Sequence, residues 1–171
     1  MAKAAKIRIT RFVSAAGALV TSAVLLTAAP MAQAGSGKHD FAAGGDATAV
    51  RRIIVQAEHG DARAQAMLGF MYANGHGVPQ SYDVAVDWYL QSAEQGDPEG
   101  QYLLGLTYDK GLGVHLDVIK AYKWLNLAAA HAPRQNQDNF LKMRNAVASK
   151  MTPAQIEIAQ RLALDFIPAR Q

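Results

Sequence analysis

The sequence predicts an all-α fold, a short right-handed α-solenoid of helix-turn-helix repeats with period 36, closed by terminal capping helices. Two observations carry this expectation. Residues 57–92 align with residues 93–128 without a gap, and 13 of 36 positions are identical. A fixed offset of that size marks stacked repeats, each of which buries its apolar face against its neighbours. Within a unit the apolar residues recur at helical spacing, as Ala64, Leu68 and Tyr72 do in the first.

Taken in order, residues 1–34 read as a cleavable secretory signal peptide. Lys3, Lys6, Arg8 and Arg11 form a basic start, an Ala-, Val- and Leu-rich run comes next, and Ala32-Gln33-Ala34 supplies small residues for cleavage before Gly35. The rival reading is an uncleaved anchor, and the small-residue site favours cleavage. This segment holds four of the 17 basic residues and none of the 14 acidic ones. Without it the chain is nearly neutral, so the basic balance of the whole sequence points to neither nucleic acid nor an anionic membrane surface. The chain has no Cys. Disulfides therefore cannot staple it, and stability must come from helix stacking.

Residues 35–45 are small, polar and glycine-rich, as in a flexible lead-in. A solenoid is expected over 46–135. It begins with a partial leading repeat, a helix from Asp46 to about Glu58 with Val50, Ile53, Ile54 and Ala57 inward. Two full repeats come after it, at 57–92 and 93–128. In the first, Gly60 suits a left-handed helix end and Asp61 a helix cap. Gly69 leaves a gap where a neighbouring helix can approach. The segment 74–79, rich in glycine, provides a tight connection. Ser81 caps a second helix that buries Ala85, Trp88 and Tyr89. The second repeat uses Asp97 as cap and Pro98 at the first helical position. After Ala129 the pattern fails, and residues 136–171 are expected to form two capping helices. One spans about 136–150, with Phe140, Met143 and Val147 on one side. The other starts at Thr152-Pro153, with Gln155 completing a capping box and Ile156, Ala159, Leu162, Ala163 and Phe166 as its apolar stripe.

The spaced residues Ala57, Gly60, Ala64, Leu68, Gly69, Tyr72, Gly75, Gly77, Val78, Ala85, Trp88 and Tyr89 resemble the Sel1-like repeat, a relative of the tetratricopeptide repeat. The second copy departs from that pattern at Gly100, where Ala is usual, and at Leu125, where Tyr is common. The resemblance implies a scaffold that binds proteins, in envelope signalling, cell-surface organisation or host contact. It also implies a periplasmic or secreted location.

Little in the sequence points to chemistry. His39, His59, His76, His115 and His131 lack metal-ligand spacing, and Asp61 and Asp97 are explained as caps. No serine stands in a nucleophile elbow, and Gly75-His76-Gly77 has neither the strand nor the Lys-Ser/Thr of a phosphate loop. The expectation is a non-enzymatic protein with no cofactor and no metal. The alternatives are a small periplasmic hydrolase or ligand binder on the same fold, and a secreted effector. Trp88, Trp124, Tyr72 and Tyr108 recur at the repeat period and read as core.

The informative residues are those the repeat does not dictate. On the first helix of each unit these are Arg63, Met67, Phe70, Met71 and Asn74, then Glu99, Leu103, Leu106, Thr107 and Lys110. First helices tend to line the concave face of a solenoid. An apolar strip flanked by charge there suits a protein or peptide partner of a monomeric scaffold. Packing against the neighbouring first helix is the competing role for the same residues.

Export should remove residues 1–34. N-terminal sequencing of the exported protein should begin at or near Gly35, and a full-length product embedded in the membrane would contradict the targeting reading.

Overall fold

A computed structural model describes residues 45–169. The signal peptide expected at residues 1–34 and nearly all of the expected lead-in lie outside these described residues. Seven helices succeed one another, and no strand occurs among the described residues. They are α1 (Gly45–Glu58), α2 (Ala62–Asn74), α3 (Tyr82–Glu94), α4 (Pro98–Lys110), α5 (Val118–His131), α6 (Arg134–Ala148) and α7 (Pro153–Leu164). The α-solenoid of paired helices expected from the sequence is the fold observed.

Local chemistry sets the helix ends. The Asp61 carboxylate accepts from the Ala64 N–H at 2.7 Å, and Asp97 accepts from the Gly100 N–H at 2.7 Å. Ser81 and Asp117 cap the second helices in the same way. Each such bond satisfies an amide that the helix itself leaves unpaired. At the other end of α2 and α4, Gly75 and Gly111 turn left-handed, at φ 70° and 68°. Their N–H groups bond back to the Met71 and Thr107 carbonyls. An L side chain disfavours that backbone, which is why glycine recurs there.

Packing inside each pair depends on a second glycine. A Cβ placed on Gly69 would sit 2.6 Å from the Tyr89 ring of α3, and one on Gly105 would sit 2.7 Å from Leu125 of α5. The two helices of a pair therefore touch where the first has no side chain. Leu68 and Leu104 are almost wholly buried beside these contacts, with Ala85 and Ala121 from the second helices. The Gly100 departure has a local cause. Its missing methyl leaves room for the Ser92 side chain, whose hydroxyl donates to Asp97 at 3.2 Å.

The repeat frame outlasts its sequence signature. Helices α2, α4 and α6 begin at Ala62, Pro98 and Arg134, a constant offset. Gln65, Gln101 and Gln137 donate to the carbonyls of Ala57, Ala93 and Ala129 at 3.2, 3.3 and 3.4 Å. So α6 holds the first-helix position of a third unit. Its start at Arg134, two residues before the expected 136, is due to Pro133, whose carbonyl accepts from Asn136 and Gln137. Leu141 stands where Gly69 and Gly105 stood. With that gap filled, α7 lies chiefly against α5, to which it turns the small residues Ala159 and Ala163. The apolar stripe expected for α7 holds only in part. Leu162 faces outward at 43% exposure, and Phe166 comes after the helix has ended.

The segment after α7 reaches back across the bundle. The Phe166 ring meets Trp124 edge-on at 5.3 Å, and the Ala169 N–H donates to the Glu94 carbonyl at 2.8 Å. Trp124 is buried under this cover, whereas Trp88, packed beside α1, is only half-buried.

Replacing Gly69 with Ala tests the close approach. The helix-propensity gain of about 1 kcal/mol should be outweighed by overpacking of about 1–3 kcal/mol against the buried Tyr89 ring. Thermal melting should show a lower Tm than the parent. An unchanged or higher Tm would mean that the helices separate freely.

Candidate functional site: a groove across the first helices

Three first helices contribute side chains to one groove of about 570 Å³. Helix α2 contributes Arg63, Ala66, Met67 and Phe70, and α4 contributes Pro98, Glu99 and Leu103, with Asp97 just before it. Pro133, Gln135, Asn136 and Phe140 close the far side from α6. The groove exists because α2 packs directly on α4, while α4 and α6 meet mainly through a ring stack. In that stack Tyr102 and Phe140 lie 4.2 Å apart and nearly parallel. These rings join α6 to α4, and Phe140 also lines the groove.

Five of the residues picked out from sequence come together here: Arg63, Met67, Phe70, Glu99 and Leu103. Met67 and Phe70 are 51% and 44% exposed, which is high for large apolar side chains. Leu103 is half-buried and also packs on the core. The other five lie elsewhere. Met71 is buried against α1, and Thr107 is buried with its hydroxyl donating to the Leu104 carbonyl at 2.7 Å. Leu106 packs beside Tyr122 and Leu125. For these three, packing is the observed role. Asn74 donates to the Phe70 carbonyl at 2.8 Å, and Lys110 is exposed at the end of α4, away from the groove. The α6 residues were missed, although the offset of 36 leads from Arg63 to Glu99 to Gln135, and from Leu104 to Phe140.

Electrostatically the groove centres on Glu99. Partial burial of its carboxyl and the neighbouring Asp97 push its pKa above the usual carboxylate value, and Arg63 opposes them. The residue as a whole is still exposed at the rim. Its charge is felt nearby. Burial and then Glu99 raise the pKa of Tyr102 and of Tyr89. Among the described residues, no three His, Asp or Glu side chains are grouped to hold a metal ion. The exposed His76 instead sets its ring edge against Phe70 at 5.9 Å.

The raised pKa gives a signed expectation. A raised carboxylate pKa means that the folded state disfavours the ionised form, so the cost is absent at low pH and appears as pH rises past the folded pKa. Glu99→Gln should therefore raise Tm modestly at neutral pH and leave it unchanged well below the carboxylate range. A gain of equal size at both pH values would count against the electrostatic origin.

Residues 62–97 and 98–132 match the Sel1 repeat, in the same period of 36 as the alignment but with each unit starting five residues later. Among solved structures, the chain is similar to a protective antigen present in uropathogenic Escherichia coli strains that displays an SLR fold. The two share 30% identity at a TM-score of 0.66, over 74% of this chain and 27% of that one. It is also similar to a Sel1 repeat protein from Oxalobacter formigenes, with 34% identity and a TM-score of 0.50, over 56% of this chain and 38% of the other. The chain thus spans well under half the length of either structure. No curated protein matches the sequence. With two matched repeats, paired helices in a constant frame and this structural likeness, the chain carries Sel1-like repeats and has the SLR fold, a relative of the tetratricopeptide-repeat fold.

Proposed function

We propose that the protein is a non-enzymatic scaffold that docks a segment of a partner protein in the groove across α2, α4 and α6. Sel1-like repeats form a fold suited to protein–protein contact. The observation that carries the proposal is the pair Met67 and Phe70, large apolar side chains left exposed at the wall of an open groove. Exposing them costs solvation free energy, and covering them on binding returns it at about 25 cal/mol per Å² of apolar area. Apolar anchors in such settings commonly dominate interface energy.

The place of action proposed is the periplasm or the cell exterior. Support comes from the signal-like residues 1–34 and from the resemblance to the Escherichia coli antigen. No described helix is long and apolar enough to cross a membrane. Envelope signalling or host contact is the setting this reading favours.

Site-specific photo-crosslinking in intact cells tests the docking site. A photoreactive side chain at Phe70 should yield a discrete heavier adduct, while the same group at the exposed Asp87 of α3 should not. Met67→Ala with Phe70→Ala should weaken capture by about 2 kcal/mol or more and leave the helical circular dichroism intact. Equal adducts from both positions, or none from Phe70, would reject the groove as the docking site.

A further inference from the structure

The first helices place corresponding residues side by side in the groove, and one such row is Arg63, Glu99 and Gln135. These residues are 36 apart and occupy the same place in α2, α4 and α6, yet they carry a positive, a negative and no charge. Glu99 is the middle one. Among the described residues, its carboxylate has no hydrogen bond and no ion pair. Arg63 likewise forms neither, although its charge acts on Glu99. Asp97, two residues earlier, is already engaged, since its carboxylate accepts from the Gly100 N–H and the Ser92 hydroxyl. The only polar residues that the α6 side adds to the lining are the uncharged Gln135 and Asn136, and Arg134 lies outside it. Tyr89 of α3 and Tyr102 of α4 also sense Glu99, and both stay neutral at ordinary pH. The groove lining therefore holds two carboxylates against one guanidinium, beside the apolar side chains of Met67, Phe70, Leu103 and Phe140.

We infer that the groove selects a partner segment with a basic side chain next to its apolar anchor, and that Glu99 is the residue that meets the basic group. This rests on the docking reading above and gives the occupant a chemistry. When an apolar anchor covers Met67 and Phe70, water leaves the neighbourhood of Glu99. A carboxylate so covered becomes costly unless a cation replaces the lost hydration. A lysine or arginine does so, a neutral side chain does not, and an acidic one adds repulsion. The excess negative charge of the lining also favours encounter with a basic segment. The partner chemistry is thus amphipathic, with a hydrophobic anchor and an adjacent positive charge.

Two fluorescent peptides of equal length and identical Phe and Leu anchors, one flanked by lysines and the other by glutamates, provide the probes. Fluorescence anisotropy with the purified protein should show the lysine peptide binding about tenfold tighter at neutral pH, a difference of about 1.4 kcal/mol. That preference should shrink as pH falls through the raised pKa of Glu99 and its carboxylate takes up a proton. Glu99→Gln should largely remove both the preference and its pH dependence, while Asp87→Asn, outside the groove lining, should leave both in place. Circular dichroism of each variant checks that the fold persists. Equal binding of the two peptides, tighter binding of the glutamate peptide, binding of neither, or a preference that survives Glu99→Gln would each overturn the inference. Crosslinking from Phe70 separates the two levels. An adduct in cells without a lysine preference rejects only the charge rule, whereas no adduct rejects the docking site itself.

Discussion

The bare backbone at Gly69 and Gly105 sets the geometry of this molecule. Each glycine lets the second helix of its pair lay a large side chain, Tyr89 or Leu125, directly on the first. Glycine inside a helix costs about 1 kcal/mol relative to alanine, so its place in mid-helix is offset by packing. In the third unit the gap is filled, and the pairing changes. Leu141 occupies the equivalent position, and α7 settles on α5 through Ala159 and Ala163. Meanwhile α6 keeps its frame, because Gln137 still reaches the Ala129 carbonyl. The row of first helices is thus one helix longer than the regular pairing supports. That additional helix is the far wall of the groove.

The full repeats were legible because their signals are local and doubled. Asp61 and Asp97 cap helices by a bond that depends on neighbours three residues away, and Gly75 and Gly111 end helices through their own backbone freedom. Such causes can be read from a short window of sequence. The third unit was not legible in this way. It keeps Gln137 and replaces nearly everything else, and one glutamine gives no periodic signal until the hydrogen bond it repeats has been seen. Leu162 was misplaced for a related reason. Its spacing suits an amphipathic helix packed on α6, but α7 turns its two small alanines inward toward α5.

The groove was half legible. Arg63, Met67, Phe70, Glu99 and Leu103 could be found by removing the residues that the repeat requires. Met71 and Thr107 survived the same subtraction although they are buried, since the face that meets α1 or the local helix carbonyls is not defined by comparing two units. Phe140 and Gln135 were lost with the third unit. The exposed Met67 and the buried Met71 are separated by one helical turn. Position relative to the preceding helix decides between them, and that is a tertiary fact.

This geometry also divides the labour between positions. Residues that touch within a pair are held to small or closely fitting side chains by sterics, and they recur: Gly69 with Gly105, Leu68 with Leu104, Ala85 with Ala121. Arg63, Glu99 and Gln135 occupy equivalent places and share no chemistry, because they lie exposed along the groove, where packing constrains them less. A position free of packing can change charge without disturbing the helices, up to the desolvation and dipole terms at its own helix start. Glu99 carries such a term, since its raised pKa marks a carboxylate less well solvated than it would be in water. The first turn of α4 favours a negative charge at the same point, so the two effects oppose each other. A partner that brings a cation to the carboxylate supplies the solvation it lacks.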